Sequence, residues 1–128
     1  MNLVIGGTCQ NKCQVACELF HIEKKDIADG EVCEMDEIFY CKAINHFHLY
    51  IRRLIREGQD TEKLIQNILA QNPDILLISD EIGYGIVPMD AGLRKWRECT
   101  GRICCEAAAA SEKVVRVIAG RAQTIKGE

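Results

Sequence analysis

Residues 74–88, DILLISDEIGYGIVP, decide the fold. Ile75 to Ser79 form a short apolar run that ends on a small polar residue, with Asn72-Pro73 before it and glycines after it. That pattern predicts a parallel strand buried on both faces. Asp80 and Glu81 follow at its carboxyl end. Open α/β sheets bind their ligands in the crevice outside that end, so the two carboxylates are candidate metal ligands, placed to orient a phosphate or a nucleophile. Gly83 and Gly85 permit a tight turn, and Pro88 can occupy the first position of a helix. The plainer alternative is a pair of solvated carboxylates closing an ordinary strand.

Toward the N-terminus, Asn2 to Ile5 is a second short apolar run, ending at Gly6-Gly7, and an amphipathic segment follows from about Asn11 to Phe20. A strand, a glycine turn and a helix are expected. The connecting GGTCQNKC aligns with the phosphate-loop pattern GxxxxGK[ST] at Gly6 and Lys12. It departs at Asn11, where the pattern has glycine, and at Cys13, where it has a hydroxyl. Asn tolerates a positive φ better than other non-glycine residues, so the loop can still form at a cost of about 1 kcal/mol. A thiol at position 13 is a soft ligand, poorly matched to magnesium. The free amides of a helix N-terminus and Lys12 can still hold an anion. The candidate phosphate cradle is therefore Gly6, Gly7, Thr8, Cys9, Gln10, Asn11, Lys12 and Cys13. A glycine turn with an incidental lysine is the competing reading. Cys13, beside Lys12 and near a helix N-terminus, is expected to have a lowered pKa and to react readily.

Between these regions the chain is polar from Asp26 to Asp36, with a turn signal at Asp29-Gly30 and a short strand expected at Glu31 to Cys33. Tyr40, Ile44, Phe47, Ile51 and Leu54 recur at steps of four and three and predict one long helix. His48 falls on the flank of that stripe and His46 nearer the opposite face, with Arg52, Arg53 and Arg56 further round. His48 is read as a packing residue or as a catalytic or nucleotide-contacting one. Leu49 and Tyr50 lie off the stripe, which leaves room for another element or for a second copy in a homo-oligomer. Gly58 ends this helix, and a second runs from about Asp60 to Gln71. After Pro88, the residues Met89, Leu93, Trp96, Thr100, Ile103, Ala107 and Ala110 form another helical stripe. Lys113 to Ala119 reads as a β-branched strand, and Gly120 opens the tail. The sum is an α/β sandwich with a mostly parallel sheet flanked by helices.

Composition sets the outer bounds. The 128 residues suit one domain, 1–128, and 16 basic against 19 acidic residues give a net charge of −3, which favours neither nucleic acid nor an anionic membrane. No run of eighteen apolar residues occurs, so no membrane span is expected. MNLVIGGTCQ has neither a basic n-region nor a full apolar h-region, from which a cytoplasmic protein is expected. In that setting the eight cysteines are reduced thiols rather than a disulfide scaffold. The absence of paired CxxC motifs argues against a closed zinc site. Cys9, Cys13 and Cys17 are spaced by four; Cys13 and Cys17, on one helix face, are read as small packing residues more readily than the three together as metal ligands.

SDEIGYGIVPMDAGLRKWRECTGRICCEAAAASEKVVRVIAG, residues 79–120, resembles the corresponding block of the bifunctional adenosylcobinamide kinase and adenosylcobinamide-phosphate guanylyltransferase family. That family shows S/T-N-E-V-G-x-G-I-V-P, a helix with R-x-x-x-G-R, and a hydrophobic strand. Glu81, Gly83, Gly85, Ile86, Val87, Pro88, Arg97, Gly101 and Arg102 fall on the pattern. VIGGTCQNK resembles the family's V-x-G-G-x-x-S-G-K-S start. Together these cover rather less than half the chain.

The resemblance implies a P-loop NTPase-like fold, a nucleotide cofactor (GTP or ATP) and Mg2+. It implies phosphorylation of the aminopropanol arm of adenosylcobinamide, then transfer of GMP onto that phosphate, with a corrinoid substrate and a place in cobalamin biosynthesis. Lys12, Glu81 and His48 are the catalytic candidates on this reading, and Asp80 and Glu81 the metal ligands. Asn11, Cys13 and Asp80 depart from the family's Gly, Ser and Asn. The middle of the chain is several tens of residues shorter than in the family, and the missing part carries the histidine that the family guanylylates. A nucleotide- or corrinoid-binding homologue with impaired catalysis, or a cysteine-rich redox or metal-binding protein of the same fold, are the alternatives.

Overall fold

The computed structural model describes residues 1–7, 11–82 and 90–127. Five strands run parallel and a sixth closes the edge antiparallel, in the order β2-β3-β4-β1-β5-β6 among the described residues. The strands are β1 (Asn2–Gly6), β2 (Ile27–Asp29), β3 (Ala43–Asn45), β4 (Leu76–Asp80), β5 (Lys113–Ile118) and β6 (Arg121–Lys126). The helices are α1 (Lys12–Phe20), α2 (Phe47–Arg56), α3 (Leu64–Gln71) and α4 (Ala91–Ala110).

The continuous apolar run of β4 has its expected consequence. Leu76 and Ile78 join Val4, Val115 and Val117 in the layer beneath α1, where Val15 and Ala16 pack. Ile75 and Leu77 face the other way, into a larger core with Phe47, Tyr50 and Ile51 of α2, Leu64, Ile65 and Ile68 of α3, and Ile103 and Ala107 of α4. The strand is thus covered on both sides, as parallel sheets require. The result is an α/β fold with a mostly parallel sheet flanked by helices, consistent with a P-loop-like architecture.

Several expectations need correction. The first short strand is Ile27–Asp29, not Glu31 to Cys33, because residues 27–29 pair with β3 while the chain turns immediately after Gly30. The long helix expected from Tyr40 begins only at Phe47. Ala43 and Ile44, both fully buried, are instead taken by β3, wedged between β2 and β4, and Tyr40 is 68% exposed. Periodicity from 40 to 54 joined two elements that share a core but not a backbone conformation. Tyr50 is covered by the chain's own segment, its hydroxyl donating to Met35 O at 2.8 Å. The second helix starts at Leu64 rather than near Asp60.

The helix after the central strand starts at Ala91, capped by Asp90, whose Oδ1 accepts from Leu93 N at 2.8 Å. Gly83, Gly85 and Pro88 lie outside the described residues. The tail after Gly120 is a strand, β6, turned back onto β5 through Ala119 and Gly120, both with positive φ.

Candidate active site

The parallel strands end together, and their carboxyl ends carry a row of charged and imidazole groups. In the sheet register Gly6 of β1 stands opposite Asp80 of β4 and Val117 of β5. Gly6 is required there by contact rather than by backbone angle: a Cβ at this position would come within 2.6 Å of Val117 O and 3.3 Å of Lys12 Cδ. That close approach lets the Lys12 stem lie across the strand end.

Lys12 opens α1 and is only 7% exposed. Its ammonium lies 2.5 Å from Asp80 Oδ1 and donates to Gly7 O at 2.8 Å. Asn11, just before it, holds φ +67°, the left-handed conformation anticipated for the asparagine that replaces glycine. Of the candidate phosphate cradle, Gly6, Gly7, Asn11, Lys12 and Cys13 are therefore placed around one strand end, while Thr8, Cys9 and Gln10 lie outside the described residues. Cys13 does not meet the expectation of a reactive thiol. Its pKa is raised, first by burial and then by neighbouring Cys17, and Lys12 offsets this only in part.

His48, near the start of α2, is 5% exposed and touches the same carboxylate. The Asp80 backbone N–H donates to His48 Nδ1 at 3.1 Å, and His48 Nε2 lies 3.4 Å from Asp80 Oδ2. A backbone N–H can only donate, so Nδ1 must accept and the neutral ring carries its proton on Nε2, facing the carboxylate. Burial pushes the His48 pKa down, the Asp80 carboxylate opposes that, and His46 and Lys12 lower it further. Trp96 fixes the local backbone by donating its indole N–H to His48 O at 2.7 Å. His48 is thus a buried, fully engaged histidine in contact with Asp80.

Glu81 points to the α4 side. Arg116 of β5 grips it through Nε to Oε1 at 2.8 Å and Nη2 to Oε2 at 3.0 Å, a two-point carboxylate pair. A cavity of about 370 Å³ opens beside this pair between the sheet and α4, lined by Ile5, Asp80, Glu81, Thr100, Gly101 and Cys104 among others. Burial raises the Cys104 thiol to about 11, although a hydrogen bond with Ser79 works against it.

A second cluster lies at the ends of β2 and β3. Asp29 and Asn45 are register partners, so His46, the next residue after Asn45, stands beside Asp29. His46 Nδ1 is 2.8 Å from Asp29 Oδ1, and His46 caps α2 with φ +55°. Its ring centroid is 6.0 Å from that of His48. By local pattern alone Asp29-Gly30 is only a turn signal, and helical spacing puts His46 on the face away from the core. The available signal was its resemblance to Asp80, a carboxylate closing a short apolar run. Arg116 was also missed, although its alternation with Val114 in KVVRVIA puts it on the α4 face of the sheet.

Among the described residues no group of three or more His, Cys, Asp or Glu side chains is arranged to hold a metal, and no helix is long and apolar enough to cross a membrane. The family model described as cobinamide kinase / cobinamide phosphate guanyltransferase matches residues 41–125, about two thirds of the chain. The matched region includes His48, Asp80, Glu81 and Arg116 and excludes the glycine loop and Lys12. No curated protein matches the chain significantly. With the parallel sheet, the strand-end carboxylates and a family match over most of its length, the chain belongs to the cobinamide kinase / cobinamide phosphate guanyltransferase family.

Proposed function

We propose that the protein transfers the terminal phosphoryl group of ATP or GTP to the hydroxyl of a corrinoid's aminopropanol arm, the kinase half of the family's chemistry. One observation carries the reading: Lys12, in the first turn of the helix after the glycine loop, reaches the carboxylate of Asp80 in the family-matched strand. A lysine held there by a carboxylate and the Gly7 carbonyl can exchange them for β- and γ-phosphate oxygens, while the helix N-terminus faces the same anion. Asp80 is the hard-oxygen candidate for magnesium, which takes one or two protein carboxylates and completes its shell with phosphates and water. The cation, when bound, neutralises charge on the transferred group. Glu81, with both oxygens on Arg116, orients that arginine toward the strand end. Seven free thiols among the described residues fit a reducing cytoplasm.

The guanylyl-transfer half has less support. A histidine nucleophile needs a ring nitrogen with a free lone pair. In His48 the Nδ1 lone pair accepts from Asp80 N and Nε2 carries the proton, so we expect no covalent GMP adduct on His48. A second reading, a nucleotide- or corrinoid-binding homologue with impaired catalysis, is favoured by the half-buried thiol of Cys13 where a magnesium-ligating hydroxyl would stand.

Titration with ATP and GTP, with and without magnesium, tests nucleotide binding, and phosphate analysis after incubation with adenosylcobinamide tests transfer. Magnesium-dependent binding with phosphorylated product supports the kinase. Binding without product favours the impaired homologue, and no binding of either nucleotide rejects the kinase and every nucleotide-binding form of the homologue. Lys12→Ala should weaken nucleotide binding by about 1.5–3 kcal/mol, the worth of a charge-assisted bond, or roughly ten- to a hundredfold.

A further inference from the structure

We propose that His46, oriented by Asp29, is the general base that takes the proton of the acceptor hydroxyl; this rests on the phosphoryl-transfer reading above. A carboxylate accepts hydrogen bonds and cannot donate them when ionised, so the 2.8 Å contact from Asp29 Oδ1 places the imidazole proton on Nδ1. Nε2 is left with its lone pair, and the His46 side chain is 38% exposed. This is the orientation of a histidine base steadied by a carboxylate, and it is the reverse of His48, whose nitrogens are both committed inside the fold.

The pair is built rather than incidental. The backbone of His46 sits in the left-handed region at φ +55°, an arrangement that costs about 1–2 kcal/mol for a non-glycine residue and that aims the ring at Asp29. Gly30 leaves no room for a side chain, since a Cβ would fall 2.6 Å from His46 O and 2.8 Å from Asn45 O. Arg53 ties the same loop to α2 by donating to Gly30 O at 2.9 Å. Asp29 Oδ1 also accepts from Glu31 N at 3.0 Å. Although burial raises the pKa of Asp29, the hydrogen bonds from His46 and the Glu31 amide, with the charges of His46 and Arg53, leave it lowered and the carboxylate ionised.

The pair lies at the same carboxyl end of the sheet as Lys12, two strands away from β1. From His46 the line of contacts runs to the His48 ring at 6.0 Å and then through Asp80 to Lys12. An alcohol whose oxygen approaches a γ-phosphate held at Lys12 from the β3 side presents its proton toward His46. In the transfer, the O–H proton passes to Nε2 and the alcohol oxygen bonds to the γ-phosphorus. The bond from that phosphorus to the bridging oxygen breaks, and the nucleoside diphosphate leaves. The imidazolium that remains is stabilised by Asp29 and returns its proton to solvent.

His46→Asn isolates the role. Asn accepts the left-handed backbone, and its Nδ2–H replaces Nδ1–H opposite Asp29, so only the nitrogen that acts as base is lost. With GTP or ATP, magnesium and adenosylcobinamide, kcat should fall about 10²- to 10⁴-fold while nucleotide affinity and Tm stay at parent values. In the parent, long-range 1H–15N NMR should show the Nδ1–H tautomer at His46, and Asp29→Asn should shift the ring toward Nε2–H and lower kcat. Parent-level kcat in His46→Asn, or an Nε2–H tautomer in the parent, overturns the assignment. If the parent transfers no phosphate at all, the proposed function fails and this role falls with it; if the parent transfers and the variant transfers equally well, the base assignment alone is wrong.

Discussion

Replacing Asp80 by asparagine removes the charge that faces Lys12 without changing the size of the side chain. Lys12 and Asp80 are 7% and 16% exposed and their charged atoms are 2.5 Å apart, so water cannot readily replace the lost carboxylate. Breaking a buried pair from one side costs about 3–5 kcal/mol, because the remaining ion is left unbalanced. Here the ammonium keeps Gly7 O at 2.8 Å, which places Asp80→Asn near the lower end, about 3 kcal/mol. Lys12→Met should cost less, since His48 Nε2 stays near the carboxylate and the thioether fills the stem's volume. The double variant should be more stable than the two single losses sum to, with a coupling of roughly 1–3 kcal/mol. Urea unfolding followed by the fluorescence of the single tryptophan, Trp96, measures all four proteins, and its indole bond to His48 O makes it a reporter of this end of the sheet. A coupling below about 0.5 kcal/mol would refute the claim that these two residues hold each other in the folded protein.

Further perturbations probe the same strand ends. Asn11→Gly with Cys13→Ser relieves the positive φ and supplies a hydroxyl at the magnesium position, and should raise magnesium-dependent nucleotide binding; unchanged affinity in calorimetric titration would mean that the loop serves another ligand. Gly6→Ala forces its new methyl against Val117 O and should destabilise by about 1–3 kcal/mol, seen as a lower urea midpoint. Because the folded-state pKa of His48 is lowered by burial, the unfolded chain takes up its proton first as pH falls. The contribution of this group is therefore intact above about pH 6.5 and is lost below it, as pH falls toward the folded value. His48→Asn, which keeps an acceptor for Asp80 N, should show a smaller loss of stability between neutral and mildly acidic pH than the parent; equal losses would assign the pH dependence to other groups.

The parts legible in the sequence were those whose pattern was local. The β4 run and β1 each bury both faces, so their composition announced a parallel sheet, and the helix stripes of α3 and α4 announced its cover. Asn11 in a left-handed conformation was legible too, since its substitution for a loop glycine has a steric meaning at a single position. Where strand and helix share one core, as Ile44 and Phe47 do, spacing could not separate them: a three-residue strand contributes only two buried side chains, too few to establish a period of two. The β6 strand was hidden for the opposite reason. All six of its residues are exposed and no hydrophobic alternation marks it.

Carboxylates at the end of a buried strand and a lysine after a glycine turn are written in the local residue order, because burial and backbone sterics act residue by residue. What those groups meet depends on how the strands are ordered in space. Strand order puts β1 between β4 and β5, and that adjacency alone brings Lys12 to Asp80 and Arg116 to Glu81. The pairing of β2 with β3 likewise sets Asp29 against His46, across 17 residues of chain. The two histidines are separated by one residue, yet the fold buries His48 against Asp80 and leaves His46 facing outward from Asp29, a division of roles set by register and a left-handed cap.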